Sequence, residues 1–192
     1  MQTSVRPAAP NYGTRLRLGI MLPASNTIVE PLAAALLPAG VSLHAERLML
    51  RKGPTQLDML DRIEEATALL VDAGVNRLIF HCTAITMYDP EMPARIRSRI
   101  AAVTPVPVTI TSEAIVGALH ALGARKVVLV TPYDQATNDR ERAFLAHYGI
   151  RVLADRALDL KTAAEFFDVE SKQWVRETIA LRDDDADAYF VS

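Results

Sequence analysis

Cys82 is the only cysteine in a chain of 192 residues. It follows a short apolar run, Leu78–Phe80, that reads as a buried strand. In parallel α/β sheets the ligand crevice lies beyond the carboxyl ends of the strands. The thiol therefore falls where a nucleophile would work, and the backbone N–H groups after it can face an anion. A lone cysteine is also a common small core residue, so both readings stand on this feature alone. His81, one residue earlier, alternates to the other face of a strand and reads as a packed or capping imidazole rather than a base. Asn26, in Pro23-Ala24-Ser25-Asn26-Thr27, either offers neutral donors to a carboxylate or caps the helix that follows. Tyr133, after Thr131-Pro132, either donates its phenol to a carboxylate or packs half-buried between elements. The four histidines (His44, His81, His120 and His147) are scattered, and no metal site is expected.

The elements that must position these residues alternate strand and helix throughout, which predicts parallel α/β sheets. Leu16–Leu22 reads as the first strand, the turn 23–27 follows, and Thr27–Leu37 is helical until Pro38-Ala39-Gly40 stops it. Val41–Leu48 is the second strand and Arg51–Thr55 a Gly/Pro loop. Gln56–Ala73 is a long amphipathic helix with a stripe of Leu57, Leu60, Ile63, Leu69 and Leu70. After the Cys82 strand comes a helix over Pro90–Ala102, with Arg95, Arg97 and Arg99 on a solvated face. Val103–Ile110 leads into a short strand, and Thr111 or Ser112 starts a helix that ends at Leu122. Lys126–Val130 is a strand, Asn138–Tyr148 a helix, Ile150–Leu158 a strand, Val169–Leu181 a helix and Ala188–Val191 a final strand. Lys161–Asp168 carries no clear pattern.

The order of elements repeats. Gly13 to Pro23 resembles Gly123 to Pro132, and Asn26 has a counterpart in Asn138. Gly40-Val41 matches Gly149-Ile150, and Ala45-Glu46-Arg47 matches Ala154-Asp155-Arg156. The offsets stay close to 109 (149 − 40 and 156 − 47). Two similar lobes are expected, 14–108 and 109–192, related by a pseudo-twofold axis with any ligand between them. Carried one strand further, Asn76–His81 falls opposite Asp187–Ser192. The counterpart of Cys82 would then lie just beyond Ser192, so a second thiol is expected there. The second lobe is expected to be incomplete in these residues, and the 192-residue chain to be inactive alone and prone to association.

Composition narrows the function classes. With 50% hydrophobic and 23% charged residues the chain has an ordinary globular make-up. A net charge of −2 gives no electrostatic case for nucleic acid or an anionic membrane. No apolar stretch reaches the ~20 residues that span a bilayer, and 1–11 reads as a loose polar arm. One cysteine makes no internal disulfide, which fits a reducing cytoplasm.

Leu22-Pro-Ala-Ser-Asn-Thr-Ile-Val-Glu30, His81-Cys-Thr-Ala84 and Ala121 to Tyr133 resemble the maleate cis–trans isomerase and arylmalonate decarboxylase group of the aspartate/glutamate racemase superfamily. The likeness runs from about Arg17 to the last residue. It implies two racemase-like α/β lobes, no cofactor, no metal and a small dicarboxylate or related carboxylate as substrate, with a homo-oligomer as the expected assembly. It also implies two thiols on opposite sides of the substrate, the first at Cys82. Decarboxylases of the group have a glycine there, so this chain resembles the isomerase branch. The resemblance makes Cys82 the nucleophile and places Asn26 and Tyr133 on the substrate carboxylates. Thr83, Ala84, Pro23, Ser25 and Thr131 complete the expected substrate-binding set. Ala84 stands where the group often has serine, and Lys161–Glu165 lacks an asparagine the isomerases carry, so the acid recognised can differ from maleate.

The implied chemistry is thiolate addition to a cis alkene, rotation about the resulting single bond, and elimination. It requires a thiol pKa below the free value of ~8.5, with N–H groups near Thr83 and Ala84 supplying the field. A racemase or decarboxylase of a small carboxylate, or a non-catalytic small-molecule-binding module, remains as an alternative. An activated Cys82 would react fast with thiol reagents near neutral pH and a packed one would not.

Overall fold

The computed structural model describes residues 11–50 and 57–192. The expected N-terminal arm up to residue 10, the Arg51–Thr55 loop and Gln56 lie outside the described residues. Two parallel sheets carry the chain. In the first, β1 (Leu16–Pro23) lies between β2 (Val41–Leu48) and β3 (Arg77–Phe80), and β4 (Val108–Ile110) pairs with β3. In the second, β5 (Lys126–Thr131) lies between β6 (Arg151–Ala157) and β7 (Ala188–Val191). The first three strands of each sheet are ordered alike, second-first-third. Their starts are also evenly displaced, with 110 residues between Leu16 and Lys126 (126 − 16) and between Val41 and Arg151 (151 − 41).

The repeat reaches individual hydrogen bonds. Asn76 precedes β3, and its Oδ1 accepts from the Arg17 backbone N–H at 2.9 Å, while its own N–H donates to the Arg17 carbonyl. Asp187 precedes β7 and does the same at the other lobe. Its Oδ2 accepts from the Arg125 and Lys126 N–H groups at 2.9 and 2.8 Å, and its N–H donates to the Lys126 carbonyl. Each side chain pins the start of the lobe's central strand beside its neighbour, which fixes the register that brings the strand ends level.

Helices fill the connections: α1 (Val29–Leu36), α2 (Ile63–Asp72), α3 (Thr83–Thr86), α4 (Met92–Ala101), α5 (Thr111–Ala121), α6 (Gln135–His147), α7 (Ala163–Asp168) and α8 (Ser171–Ala180). Met21, Ile63, Leu78, Phe80 and Ile96 are fully buried in one core, and Val127, Phe144, Leu145 and Ile150 in the other. Met87, which follows α3, packs into the second core. The segment after Cys82 therefore ties the lobes together. β4 crosses the expected division between residues 108 and 109 and belongs to the first sheet.

Two expectations change and a third gains detail. The helix foreseen over Gln56–Ala73 is a short 3₁₀ turn at Asp58–Leu60 and then α2, and Leu69 is half exposed while Ala66 and Thr67 take buried positions. The arginine face of α4 is solvated as foreseen, but Arg95, Arg97 and Arg99 pair with Asp89, Glu113 and Glu64. Helix α6 starts three residues earlier than Asn138, because the Asp134 side chain accepts from the Thr137 N–H at 2.8 Å and caps it. Asn138 thus lies inside the helix, and Asp134 holds the place that Asn26 holds in the first lobe.

Candidate functional site

The strand ends of both lobes open on one cavity of about 630 Å³. Its walls come from the turn after β1 (Pro23, Ser25, Asn26), the start of α3 (Cys82, Thr83, Ala84) and the loop after β5 (Tyr133). Seven of the eight sequence-derived site residues therefore meet there. Leu50, Ile115, Phe166 and Trp174 are among its apolar lining, with Phe190 and Val191. No lysine or arginine is among the described lining residues, so an anion here meets neutral donors.

Cys82 occupies the N-cap position of α3 with extended backbone, φ −170° and ψ 107°. Its carbonyl accepts from the Thr86 N–H and the Thr86 hydroxyl, each at 2.9 Å, which closes the turn. The residue is only 6% exposed. Burial pushes its thiol up to about 12, while the N–H groups of Ile85 and Ala84 pull the other way. The expected field from the N–H groups is therefore present, and the expected drop below the free thiol value is not. Withdrawing sulfur from water opposes the thiolate more than two backbone dipoles favour it. Cys82 rests as a thiol at neutral pH.

Asn26 is both a cap and a wall of the cavity. Its Oδ1 accepts from the Ile28 and Val29 N–H groups, each at 3.0 Å, at the start of α1. This leaves the amide nitrogen for a ligand. The two roles separate by mutation. Asn26→Asp keeps the capping oxygen, so its melting temperature should stay near wild type while carboxylate turnover falls. Asn26→Ala should lose turnover and also about 1 kcal/mol of stability in urea unfolding. Equal turnover in all three proteins would leave Asn26 as a cap alone.

Tyr133 is half-buried, packs against the first lobe's core and meets Phe166 edge-on with ring centroids 6.4 Å apart. Burial raises its pKa, and the nearby charges of Glu141 and Cys82 raise it further. The hydroxyls of Thr83 and Ser192 offset part of this. The phenol is a proton donor across the whole neutral range. Thr131 is the exception to the predicted set. It is fully buried and does not line the cavity. Its hydroxyl bonds Asn138 Oδ1 and accepts from the Tyr133 N–H at 3.2 Å, so it holds the loop that presents Tyr133. His81 contributes to the lining although strand alternation turned it away, and burial lowers its pKa, which keeps it neutral. Among the described residues no cluster of three His, Cys, Asp or Glu is placed to hold a metal ion.

Sequence reasoning missed the apolar wall and one acid. Phe166 lies in the stretch without periodicity, and Trp174 reads as an ordinary helical aromatic. Glu141 is fully buried on α6, and a charged residue between Arg140 and Arg142 reads as solvated. The available signal was its place at helical spacing with Thr137, Asn138, Phe144 and Leu145, the buried face of α6.

Two parallel α/β lobes with a cysteine at the cleft between their strand ends define the class. The chain belongs to the arylmalonate decarboxylase family, whose sequence model matches residues 18–192. It is similar to a maleate isomerase of Nocardia farcinica, 27% identical over 188 residues, covering 92% of this chain and 75% of that protein. A maleate isomerase of Alcaligenes faecalis is 24% identical, covering 92% and 76%. Among solved structures, the fold superposes on a liganded mutant of arylmalonate decarboxylase with TM-score 0.85 at 24% identity, covering 92% of this chain and 77% of that one. A Nocardia farcinica maleate cis–trans isomerase mutant with a covalently bound succinylcysteine intermediate gives TM-score 0.82 at 25% identity, covering 91% and 76%. Among the described residues no helix is long and apolar enough to cross a membrane.

Proposed function

We propose that this protein is a cofactor-independent cis–trans isomerase of a small unsaturated dicarboxylate of the maleate type, with Cys82 as its nucleophile. The observation that carries this reading is the position of Cys82, at the cavity wall and at the head of α3 with two N–H groups toward its sulfur. The covalent succinylcysteine in the Nocardia enzyme supports it. So does the cysteine itself, a residue a decarboxylase of this group replaces with glycine.

The sulfur, after giving its proton to solvent, adds as thiolate to one alkene carbon of the cis acid. The π pair moves to the neighbouring carbon and its carboxylate, which takes the form of an enediolate. The former double bond is then single and rotates. Return of the pair expels the thiolate and leaves the trans alkene, so atoms and electrons balance without an added reductant or oxidant. Asn26 and Tyr133 hold the two carboxylates through neutral donors, and Thr83 and Ser25 offer hydroxyls beside them. Preorganised donors of this kind act on charge as it develops. Thr131 is removed from the binding set and acts through Tyr133. A reducing cytoplasm keeps the thiol available, and a homo-oligomer is the assembly proposed.

Incubation with maleate, quenching with acid and intact-mass measurement test the reading. One substrate mass should add to the protein and map to Cys82, and fumarate should accumulate. Racemisation of a small amino or hydroxy acid, or decarboxylation of an arylmalonate, with no fumarate formed would replace this reading by the corresponding alternative.

A further inference from the structure

The largest anomaly in the molecule is Glu141. It is 0% exposed, and neither carboxylate oxygen has a hydrogen-bond partner among the described residues. A buried, unpartnered carboxylate is among the most unfavourable groups a protein interior can hold. Its surroundings are the seam between the lobes. Phe144 and Leu145 of the same helical face share a core with Met87, which follows the turn carrying Cys82. The guanidinium of Arg140 lies over the ring of Tyr88, 4.9 Å from its centroid. The contacts of α6 on either side of Glu141 thus reach the segment that starts at Cys82.

We propose that Glu141 is a positioning residue for Cys82: a carboxylic acid held uncharged at the lobe seam, whose loss of its proton opposes thiolate formation. The inference rests on the reading of Cys82 as the nucleophile.

The groups that act on Glu141 are few. On its own helix Arg140 favours the charged form, but that cation is spread over Tyr88 and its Nη2 donates to Thr137. Arg142 turns outward to Asp155 of β6, which also accepts from Gln135 and Asn138. Arg156 of β6 faces Glu177, Glu113 of α5 is paired with Arg97, and His120 of α5 bonds the Tyr148 carbonyl. Of these groups only Arg140 acts on Glu141, and its buried Nε has no hydrogen-bond partner among the described residues. Burial accordingly raises its pKa to about 8. In the reverse direction, the Glu141 charge raises both Cys82 and Tyr133. Below about pH 8 the acid is neutral and Cys82 ionises against burial alone. Above it a negative charge in a medium of low dielectric adds to that barrier.

The test uses the single cysteine of the sequence as its own reporter. The rate of Cys82 alkylation by iodoacetamide, a neutral probe, is measured from pH 6 to 10 in the wild type and in Glu141→Gln. A thiol that ionises well above the range gives a rate proportional to hydroxide. Glu141→Gln should follow that line throughout. The wild type should leave it near pH 8 and run about tenfold below it at pH 10, the effect of a one-unit rise in the thiol pKa. Glu141→Met, of similar length, serves if the glutamine variant is unfolded. The wild type alone also decides, because carboxyl carbon NMR of glutamate-labelled protein should show one side chain titrating at the pH of that break. Superimposable profiles, or an unbroken wild-type line with every glutamate titrating below pH 6, would overturn the proposal. No substrate enters these measurements. A protein that shows the break but does not isomerise maleate would sink the functional reading and leave Glu141 in its role.

Discussion

Cys82→Ser should reduce maleate isomerisation by at least about a thousandfold, the scale on which removing a nucleophile acts in enzymes that depend on one. The argument starts from atoms. A serine hydroxyl loses its proton far less readily than a thiol, and the two N–H groups of Ala84 and Ile85 that face sulfur cannot make up the difference in a buried site. The fold should tolerate the change. Ser is smaller and an accepted N-cap residue, and Cys82 holds the N-cap of α3 through its backbone carbonyl rather than its sulfur. The melting temperature should therefore stay within a few degrees of the wild type while the accumulation of fumarate stops. The covalent adduct should vanish in the same variant. Retained turnover in a folded Cys82→Ser protein would remove Cys82 from the mechanism, whatever the family.

The fold was readable where strands and their stops are local. Val41–Leu48 and Ala188–Val191 have the bounds the sequence implied, since apolar runs closed by turns specify them without help from the rest of the chain. The repeat was readable because it recurs as spacing, and the structure strengthens it at Asn76 and Asp187, whose matching roles lie in hydrogen bonds rather than in letters. Helix starts were less legible. An asparagine caps α1 but an aspartate caps α6, so the pairing of Asn26 with Asn138 does not mark both helix starts. The site was legible as a set of strand ends, which is why Asn26, Cys82 and Tyr133 meet. Its electrostatics were not. Backbone N–H groups near a cysteine are implied by any strand-to-helix turn, whereas the depth that sets Cys82 near 12 depends on packing from both lobes. Glu141 hid for the same reason, because burial of a charged residue is a tertiary property that no local pattern specifies.

Tyr133→Phe should lower kcat/KM by about thirty- to a thousandfold, equivalent to about 2–4 kcal/mol of barrier, while leaving stability almost unchanged. The phenol is a donor in the cavity whose position the structure over-determines. Its ring is held edge-on by Phe166, its loop is tied to the Thr131 hydroxyl through the Tyr133 N–H, and β5 is braced on both sides. A donor fixed in this way loses no freedom when a carboxylate arrives, so its full strength is available to the charge that builds during addition. Phenylalanine keeps the ring and its contacts with Phe166 and the first core, and removes only the hydroxyl that Thr83 and Ser192 face. The urea midpoint should move little. Thr131→Val gives the companion measurement. It removes the hydroxyl that holds the loop without touching the cavity wall, and it should cost less than Tyr133→Phe in turnover and more in stability, because the buried Asn138 carbonyl loses its partner. The reverse ordering, a large stability loss and normal turnover in Tyr133→Phe, would make Tyr133 a packing residue between lobes and remove it from the carboxylate site.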